Sequence, residues 1–423
     1  MLHSSLWNIA GTIEVVVGKG DGCQDDDGDH QFDQSEAALL FQLVLTKFDG
    51  ASIMPLDLGC QPKLMNGISS RLTVGMEMGL LNDFMVIGAG AVGLATAQAL
   101  LQAGGQVTVL ERGELGQEAS WAGGGIMSPL CPWDYPEEVT RLALLGMARF
   151  EGFTAELAAN TGVDTEYQRC GMRVLPPFEP QVAIDWCDAH GMRYELADDS
   201  IFLPEIAQVR NPRLLRAMRE RVLQLGGRIV EQCEVLAVEL QAGRVQHVRT
   251  SQGDLKADDY VLTAGAWSKV LLGEHAQQLD IKPIRGQMLL FKFDTPQLPH
   301  ILLQRDLYFI PRKDGHLLIG STLEDVGFDK STTEAARESM LLRAVVLLPA
   351  LQGMPVVRHW AGLRPGSPGN IPTIGRHPDL SNLYLNSGHF RYGVTMAPAS
   401  VEILLNEING TAQPFDVSPY RWC

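Results

Sequence analysis

The chain has 423 residues, a length that predicts two domains rather than one. Hydrophobic residues make up 45% of the sequence and charged residues 20%, which is typical of a globular protein that buries a full core without disulfides or metals. The net charge of −16 argues against nucleic acid as a partner, because binding to a phosphate backbone needs clustered Lys and Arg.

Cysteine spacing and hydropathy bear on metal sites and on location. The seven cysteines are odd in number and none has the close spacing of a zinc or redox site, so we expect reduced thiols and no metal. No apolar run approaches the ~18 to 20 residues that span a bilayer. The N-terminus also lacks the basic stretch and the apolar block of an export signal. These features predict a cytoplasmic protein without a membrane span.

Residues 1–77 differ in composition from the rest of the chain. They contain 11 acidic and 4 basic residues, and their apolar patches are too few for a core. The aspartate-rich run at 21–29 lacks the ligand spacing of an EF-hand loop, so we interpret it as disordered chain rather than a calcium site. Met76 and Met78 directly precede the first strong strand, which raises a second hypothesis: the protein starts at one of them, and the segment is upstream sequence.

The strongest local motif is a glycine-rich turn after that strand. Phe84–Ile87 runs into Gly88-Ala89-Gly90-Ala91-Val92-Gly93, and residues 94–102 then predict a helix. In this G-x-G-x-x-G pattern the first glycine permits the tight turn, the second lets a pyrophosphate approach, and the third lets the helix pack against the strand. The phosphates are expected at the helix N-terminus, where free N–H groups and the helix dipole attract anions.

A second strand completes a βαβ unit. It spans Val107–Leu110 and ends at Glu111, where an acidic side chain accepts the ribose hydroxyls of an adenine dinucleotide. The unit alone does not distinguish NAD from FAD. An NAD-dependent dehydrogenase and a non-catalytic nucleotide-binding module therefore stay open as alternatives at this point.

Three further stretches carry a family resemblance. Ser120–Ile126, Val261–Ser268 and Ser387–Val394 resemble, in this order, the flavin-lining segment, the second glycine motif and the flavin-closing loop of D-amino acid oxidase-type flavoproteins. The resemblance covers about residues 84–411 and is closest to the glycine oxidases, which are associated with the thiazole branch of thiamine synthesis. It implies FAD as the cofactor, and because the arginine loop at 360–368 contains no cysteine, we expect FAD to be bound without a covalent link. Beyond the glycine motif and Glu111, it implies cofactor contacts at Arg112, Ala119, Ser120, Gly124, Gly125, Ile126, Val235, His389, Phe390, Arg391, Tyr392, Gly393 and Val394.

The resemblance also implies the fold class, α/β. An FAD-binding Rossmann-like domain of the GR2 type (84–165, 209–272 and 355–411) is interleaved with an antiparallel-sheet α+β substrate domain (166–208 and 273–354). Local signals point the same way. Asn211-Pro212 predicts the N-cap and first residue of a helix, and Asp314-Gly315 predicts a β-hairpin.

The substrate-site residues implied by the resemblance are Arg364, Tyr308 and Arg391. A guanidinium binds a carboxylate through two charge-assisted hydrogen bonds, each contributing about 1.5 to 3 kcal/mol. Tyr308 matches a tyrosine that borders the carboxylate, and Arg391 matches an arginine at the flavin edge. A core tyrosine and an ion-paired arginine are the alternative interpretations. Three positions depart from the glycine oxidases and leave substrate preference open, namely Asp306, Leu323 and Tyr392.

The implied activity is the oxidation of glycine and other small amino acids. Hydride transfer from Cα to flavin N5 would give an imino acid, then a keto acid and ammonia, and O2 would become H2O2. Such a reaction asks the protein mainly for positioning. The nearest alternatives are a D-amino acid dehydrogenase and a sarcosine oxidase-like enzyme. The oligomeric state stays open, with a homo-oligomer among the options.

Overall fold

The computed structural model describes residues 82–422, and the two hypotheses about residues 1–77 lie outside them. A six-stranded sheet forms one half, in the order β19-β20-β13-β1-β2-β9. All neighbouring strands in it are parallel except β19 and β20. The strands are β1 Asp83–Ile87, β2 Gln106–Leu110, β9 Arg228–Val230, β13 Asp259–Leu262, β19 Thr373–Arg376 and β20 Leu383–Ser387.

Strand β1 shows why this sheet is covered on both faces. Successive side chains of a strand point to opposite faces. Val86 packs in the core formed with the long helices, and Met85 and Ile87 pack in the core formed with a three-stranded antiparallel sheet. The helices are α1 Ala91–Gln102, α2 Ala119–Ala122, α3 Glu137–Thr161, α4 Pro180–His190, α5 Asn211–Gln224, α6 Ser268–Leu272, α7 Glu334–Leu347 and α8 Gly393–Asn409. The small sheet is β10 Val235–Gln241, β11 Arg244–Thr250 and β12 Gly253–Leu255.

An eight-stranded sheet forms the other half, in the order β18-β14-β17-β16-β15-β5-β7-β6. Its neighbours are antiparallel except the parallel pair β15 and β5. The strands are β5 Met172–Leu175, β6 Glu195–Ala197, β7 Ser200–Leu203, β14 Lys282–Lys292, β15 Ile301–Gln304, β16 Leu307–Pro311, β17 His316–Gly320 and β18 Arg358–Gly366. A short third sheet consists of β3 Ile126–Met127, β8 Ala207–Gln208 and β4 Gln168–Arg169.

The structure agrees with the sequence-based prediction of one hairpin and differs from it at strand β18 and at one helix cap. The hairpin at Asp314-Gly315 is confirmed by the antiparallel pairing of β16 with β17. Strand β18 was assigned to the FAD-binding half, but it pairs with β14 from Lys282↔Gly366 to Leu290↔Arg358 and so belongs to the eight-stranded sheet. The sequence predicts Asn211 as the N-cap, but the cap residue is Arg210, and the Asn211 amide instead donates to the Ser120 carbonyl.

Candidate active site

One cavity of about 410 Å³ lies at the carboxyl ends of strands β1, β2, β13 and β20. In open α/β sheets this edge is where ligands bind. The cavity extends to the eight-stranded sheet, since Tyr308 of β16 and Arg364 of β18 also line it. Every residue that the sequence assigned to the cofactor or the substrate lines this cavity, with Gly93 as the one exception.

The glycine turn after β1 forms a close-packed cradle. Gly88 has φ +111°, a conformation that favours glycine, and a Cβ there would lie 2.6 Å from the Thr263 carbonyl oxygen. A Cβ at Gly93 would lie 1.9 Å from the Gly88 oxygen. Gly93 therefore brings helix α1 against the turn from behind the cavity instead of lining it. Gly90 is the N-cap residue of α1 and has no side chain of its own there, while the Ser120 hydroxyl accepts the N–H of Ala91 at 2.9 Å.

Glu111 lies at the end of β2, where a ribose is expected. Its Oε2 accepts the N–H of Ala89 at 2.9 Å, and its Oε1 accepts the N–H of Gly113 at 3.1 Å. The carboxylate thus fixes the glycine turn while it lines the cavity. Carboxylate oxygens each offer further lone pairs, so these bonds leave capacity for hydroxyl donors.

The loop from β20 to α8 closes another wall of the cavity. His389 is buried, its Nε2 has no hydrogen-bond partner among the described residues, and burial lowers the pKa of this side chain to about 3. Burial likewise raises the pKa of Tyr392, whose hydroxyl donates to the Tyr135 hydroxyl. Both side chains are therefore neutral at physiological pH.

Arg364 is held from behind by the segment after β17. Its Nη2 donates to Ser321 Oγ at 2.6 Å, and its Nη1 donates to the Thr322 carbonyl at 3.2 Å. Burial lowers the pKa of Arg364, and the nearby Arg391 guanidinium lowers it further, but an arginine stays charged even then. Across residues 82–422 neither arginine forms an ion pair with a carboxylate.

Tyr308 and Arg391 complete the substrate end. Tyr308 is mostly buried, and its hydroxyl lies 3.9 Å from the Met288 sulfur and also interacts with the Arg364 guanidinium. The Nε of Arg391 is buried without a partner in the part of the chain that is described. Two guanidinium groups without a carboxylate partner among residues 82–422, together with a tyrosine hydroxyl, line the same cavity and form a site for an anion.

Several residues that shape the site were not predicted. Gly286 of β14 gives room to the Arg364 guanidinium, since a Cβ there would lie 1.9 Å from Nη1. Ser321 and Thr322 hold that guanidinium. A glycine inside the strand pattern of β14 was the one available signal, because such a glycine often marks a close approach. Asn386 also lines the cavity, with both side-chain polar atoms buried and unpartnered.

The shape and the unpartnered polar groups of the cavity are compatible with bound FAD. The turn at Gly88 and Gly93 packs too closely for any added Cβ. The amide of Asn386 offers buried donors and acceptors that lack partners among residues 82–422, and such groups require a partner such as a ligand or a water. The glycine turn, Glu111 and the loop at His389 lie along one continuous cavity.

Two findings concern membranes and metals. Within the described residues, every helix is too short or too polar to cross a lipid bilayer. The same residues contain no cluster of three or more His, Cys, Asp or Glu side chains arranged to hold a metal ion.

Comparison with known proteins identifies the family. A model of the family described as "DAO: FAD dependent oxidoreductase" matches residues 83–406. The chain is 41% identical over 353 residues to glycine oxidase of Pseudomonas putida and 42% identical over 356 residues to glycine oxidase of Pseudomonas aeruginosa. Each alignment spans 79% of this chain and 97% of the relative. The bifunctional protein ThiO/ThiG of Synechocystis is 34% identical over 341 residues, which is 76% of this chain and 51% of that protein.

Solved structures share the fold. Glycine oxidase from Bacillus cereus superposes with a TM-score of 0.72 at 27% identity, covering 78% of this chain and 95% of that one. Glycine oxidase from Geobacillus kaustophilus gives a TM-score of 0.76 at 23% identity, covering 81% and 99%. The predicted α/β class and the choice of FAD over NAD are confirmed by these comparisons.

Proposed function

We propose, from the premise that this chain belongs to the DAO family of FAD-dependent oxidoreductases, that it is an oxidase of glycine and other small amino acids. The relatives of 41% and 42% identity are both named glycine oxidase, which supports the choice of substrate. The observation that carries the proposal is Arg364, a charged side chain that faces the cavity without a carboxylate partner among the described residues.

In this proposal Arg364 binds the substrate carboxylate. Ser321 Oγ and the Thr322 carbonyl occupy one side of the guanidinium, so its remaining donors form the fork that takes a carboxylate. The Tyr308 hydroxyl borders the same carboxylate, and Arg391 adds positive charge from the loop before α8. FAD, when bound, accepts the two electrons removed from the substrate and passes them to O2.

The remaining task of the protein is to orient the substrate and exclude water. A carboxylate fixed at one end places the α-carbon and amine of a small amino acid towards the glycine-lined wall at Gly124 and Gly125. The apolar side chains of Leu130 and Leu363 also line the cavity and keep it dry. The neutral amine would be oxidised to an imine, and hydrolysis would then give glyoxylate and ammonia from glycine. H2O2 would be the product of O2.

The proposal also covers the subcellular location and the metabolic pathway of the protein. The scattered cysteines that suggested reduced thiols favour the cytoplasm, and the similarity to the relative named ThiO/ThiG supports a role in thiamine thiazole synthesis. The candidate partners are a small amino acid and O2. We also expect a homo-oligomer, and light scattering would measure the molar mass of the assembly.

A spectrum and a peroxide assay test the proposal. The purified protein should be yellow and show flavin absorption. Glycine should yield H2O2, and added catalase should abolish the peroxide signal. Sarcosine and D-alanine, assayed in parallel, define the preference. Oxidation of D-alanine with an artificial dye but no peroxide would instead identify a dehydrogenase, and a strong preference for sarcosine would replace glycine as the substrate.

A further inference from the structure

Arg312 is a buried arginine that follows strand β16 and lies outside the substrate site. Only 5% of it is exposed. Its Nη1 donates to Gln208 Oε1 at 2.7 Å and to the Val209 carbonyl at 3.0 Å, and its Nη2 donates to the Gly124 carbonyl at 2.8 Å. All three acceptors are neutral, and within residues 82–422 no carboxylate pairs with this guanidinium.

The position of Arg312 is costly for stability. Taking a charge out of water is unfavourable unless a partner compensates for it. The nearby Glu166 is already paired with Arg210 at 3.0 Å and with Arg213 at 2.8 Å. Burial lowers the pKa of Arg312 to about 10, which still leaves the side chain protonated at neutral pH. The interior therefore contains a full positive charge that hydrogen bonds alone stabilise.

The hydrogen bonds of Arg312 belong to a set that orients one glycine segment. Asn211 Nδ2 donates to the Gly123 carbonyl at 3.1 Å, Arg312 to the Gly124 carbonyl, and the Val209 N–H to the Gly125 carbonyl at 2.8 Å. In a trans peptide the N–H points opposite to the C=O. The N–H groups of Gly124 and Gly125 accordingly point away from these donors, and neither donates to a described residue.

This segment is a wall of the cavity. Gly124 and Gly125 both line it, next to Tyr308. The side chains of Tyr308 and Ile310 lie so close to Gly124 that a Cβ there would be 2.4 Å from Ile310 Cδ1. Arg312 thus lies one peptide group behind the surface on which the flavin is expected, with two free N–H groups in front of it.

We propose that Arg312 is a positioning residue for the flavin: it fixes the Gly124–Gly125 peptide with its N–H towards the cavity, and its charge favours the reduced form of the cofactor. Reduction adds negative charge to the flavin, and a fixed positive charge in a low-dielectric interior stabilises that charge. The inference rests on the FAD-dependent function proposed above, since it needs a bound flavin. It does not depend on which amine is the substrate.

Three substitutions at Arg312 and one control test this. Arg312→Met removes the charge and the donors, Arg312→Gln removes the charge but keeps a donor, and Arg312→Lys keeps the charge. The control is Arg173→Met, which removes a partly buried arginine of the eight-stranded sheet that bonds to Ser200 and is not among the residues lining the cavity. The readouts are the midpoint potential of the bound flavin, the FAD dissociation constant of the apoprotein, and the melting temperature.

We expect Arg312→Met to shift the midpoint potential to more negative values and to weaken FAD binding at least tenfold. Arg312→Lys should restore the potential towards that of the unchanged protein, and Arg173→Met should leave both quantities unchanged. If Arg312→Met does not fold, the comparison of Arg312→Gln with Arg312→Lys carries the test. Equal potentials in those two variants, or an unchanged potential in a folded Arg312→Met protein of lower melting temperature, would show that Arg312 only supports the fold and would overturn the proposal.

These outcomes are separable from failure of the proposed function. The potential is measured on the flavin itself, with no amino acid present. A protein that binds FAD but fails to oxidise glycine would refute the proposed substrate and leave the Arg312 measurement intact. A protein that binds no FAD would refute both.

Discussion

A Cβ added to Gly286 would lie 1.9 Å from Nη1 of Arg364, so the absent side chain of one strand makes room for the charged side chain of the next. Gly286 on β14 faces Gly362 in the register with β18, two residues from Arg364. Opposite and diagonal neighbours on adjacent strands lie within reach of long side chains. The guanidinium therefore lies across β14 and reaches Ser321 and Thr322 on the far side.

This contact predicts the effect of Gly286→Ala. The added methyl group should displace the guanidinium and raise KM for glycine about tenfold or more, while the FAD dissociation constant stays within about twofold, because the cofactor cradle is on other elements. The control is Gly152→Ala on α3, where a Cβ meets open space. Steady-state kinetics at pH 8 would measure the change, and an unaltered KM would mean that the guanidinium does not bind substrate in this position.

Arg364→Ala should remove the carboxylate ligand itself. Loss of two charge-assisted hydrogen bonds, each about 1.5 to 3 kcal/mol, predicts a fall in kcat/KM of roughly 100-fold or more, expressed mainly in KM. Arg358→Ala is the matched control, since Arg358 lies on the same strand but is exposed and stacks on Trp121 at 4.4 Å. Flavin absorption should be retained in both variants. Equal kinetics in the two would remove Arg364 from the site.

Substitution of Gly93 or Gly90 should affect the cofactor before the substrate. A Cβ at Gly93 would lie 1.9 Å from the Gly88 oxygen, so Gly93→Ala must shift α1 or the turn. Gly90→Val should fill the space in front of the helix N-terminus. Both variants should be purified with less than about a tenth of the usual flavin, because the pyrophosphate depends on that close approach.

Gly113→Ala is the control for these two variants, since nothing lies within 4 Å of its added Cβ. The ratio of flavin to protein absorbance measures the outcome. A Gly90→Val protein that binds FAD as tightly as the unchanged chain would show that the pyrophosphate lies elsewhere.

His389 predicts a pH dependence of stability. Burial lowers its pKa to about 3, whereas an unfolded histidine has a pKa of about 6.5. Above pH 6.5 neither state binds the proton and His389 contributes no pH dependence. As the pH falls below 6.5 the unfolded chain is protonated first, so the unfolding free energy decreases by up to about 1.4 kcal/mol per pH unit, down to about pH 3.

The His389→Gln variant tests this contribution of His389 to the pH dependence of stability. Its melting temperature should decline less steeply between pH 7 and pH 5 than that of the unchanged protein. Parallel slopes for the His389→Gln variant and the unchanged protein would contradict a buried neutral His389.

Much of the cofactor half follows from the sequence alone. The strand Phe84–Ile87, the glycine turn and Glu111 are close together in the chain, so their geometry is a local property that spacing can predict. The hairpin at Asp314-Gly315 is local in the same way. The family resemblance also identified Arg364 and Tyr308, because family motifs preserve residues whose contacts are not themselves local.

The tertiary structure decided which distant groups surround those residues. Strand β18 joins the eight-stranded sheet through β14, which lies more than 60 residues earlier in the chain, and nothing in its own pattern determines that partner. Gly286, Ser321 and Arg312 acquire their roles only from that pairing and from the placement of Gly124 against β16. Long-range contacts depend on packing over the whole sheet, whereas turns and caps depend on a few neighbouring residues. The sequence therefore determined the cofactor cradle, and the assembled sheets determined how the arginines behind and beside it are held.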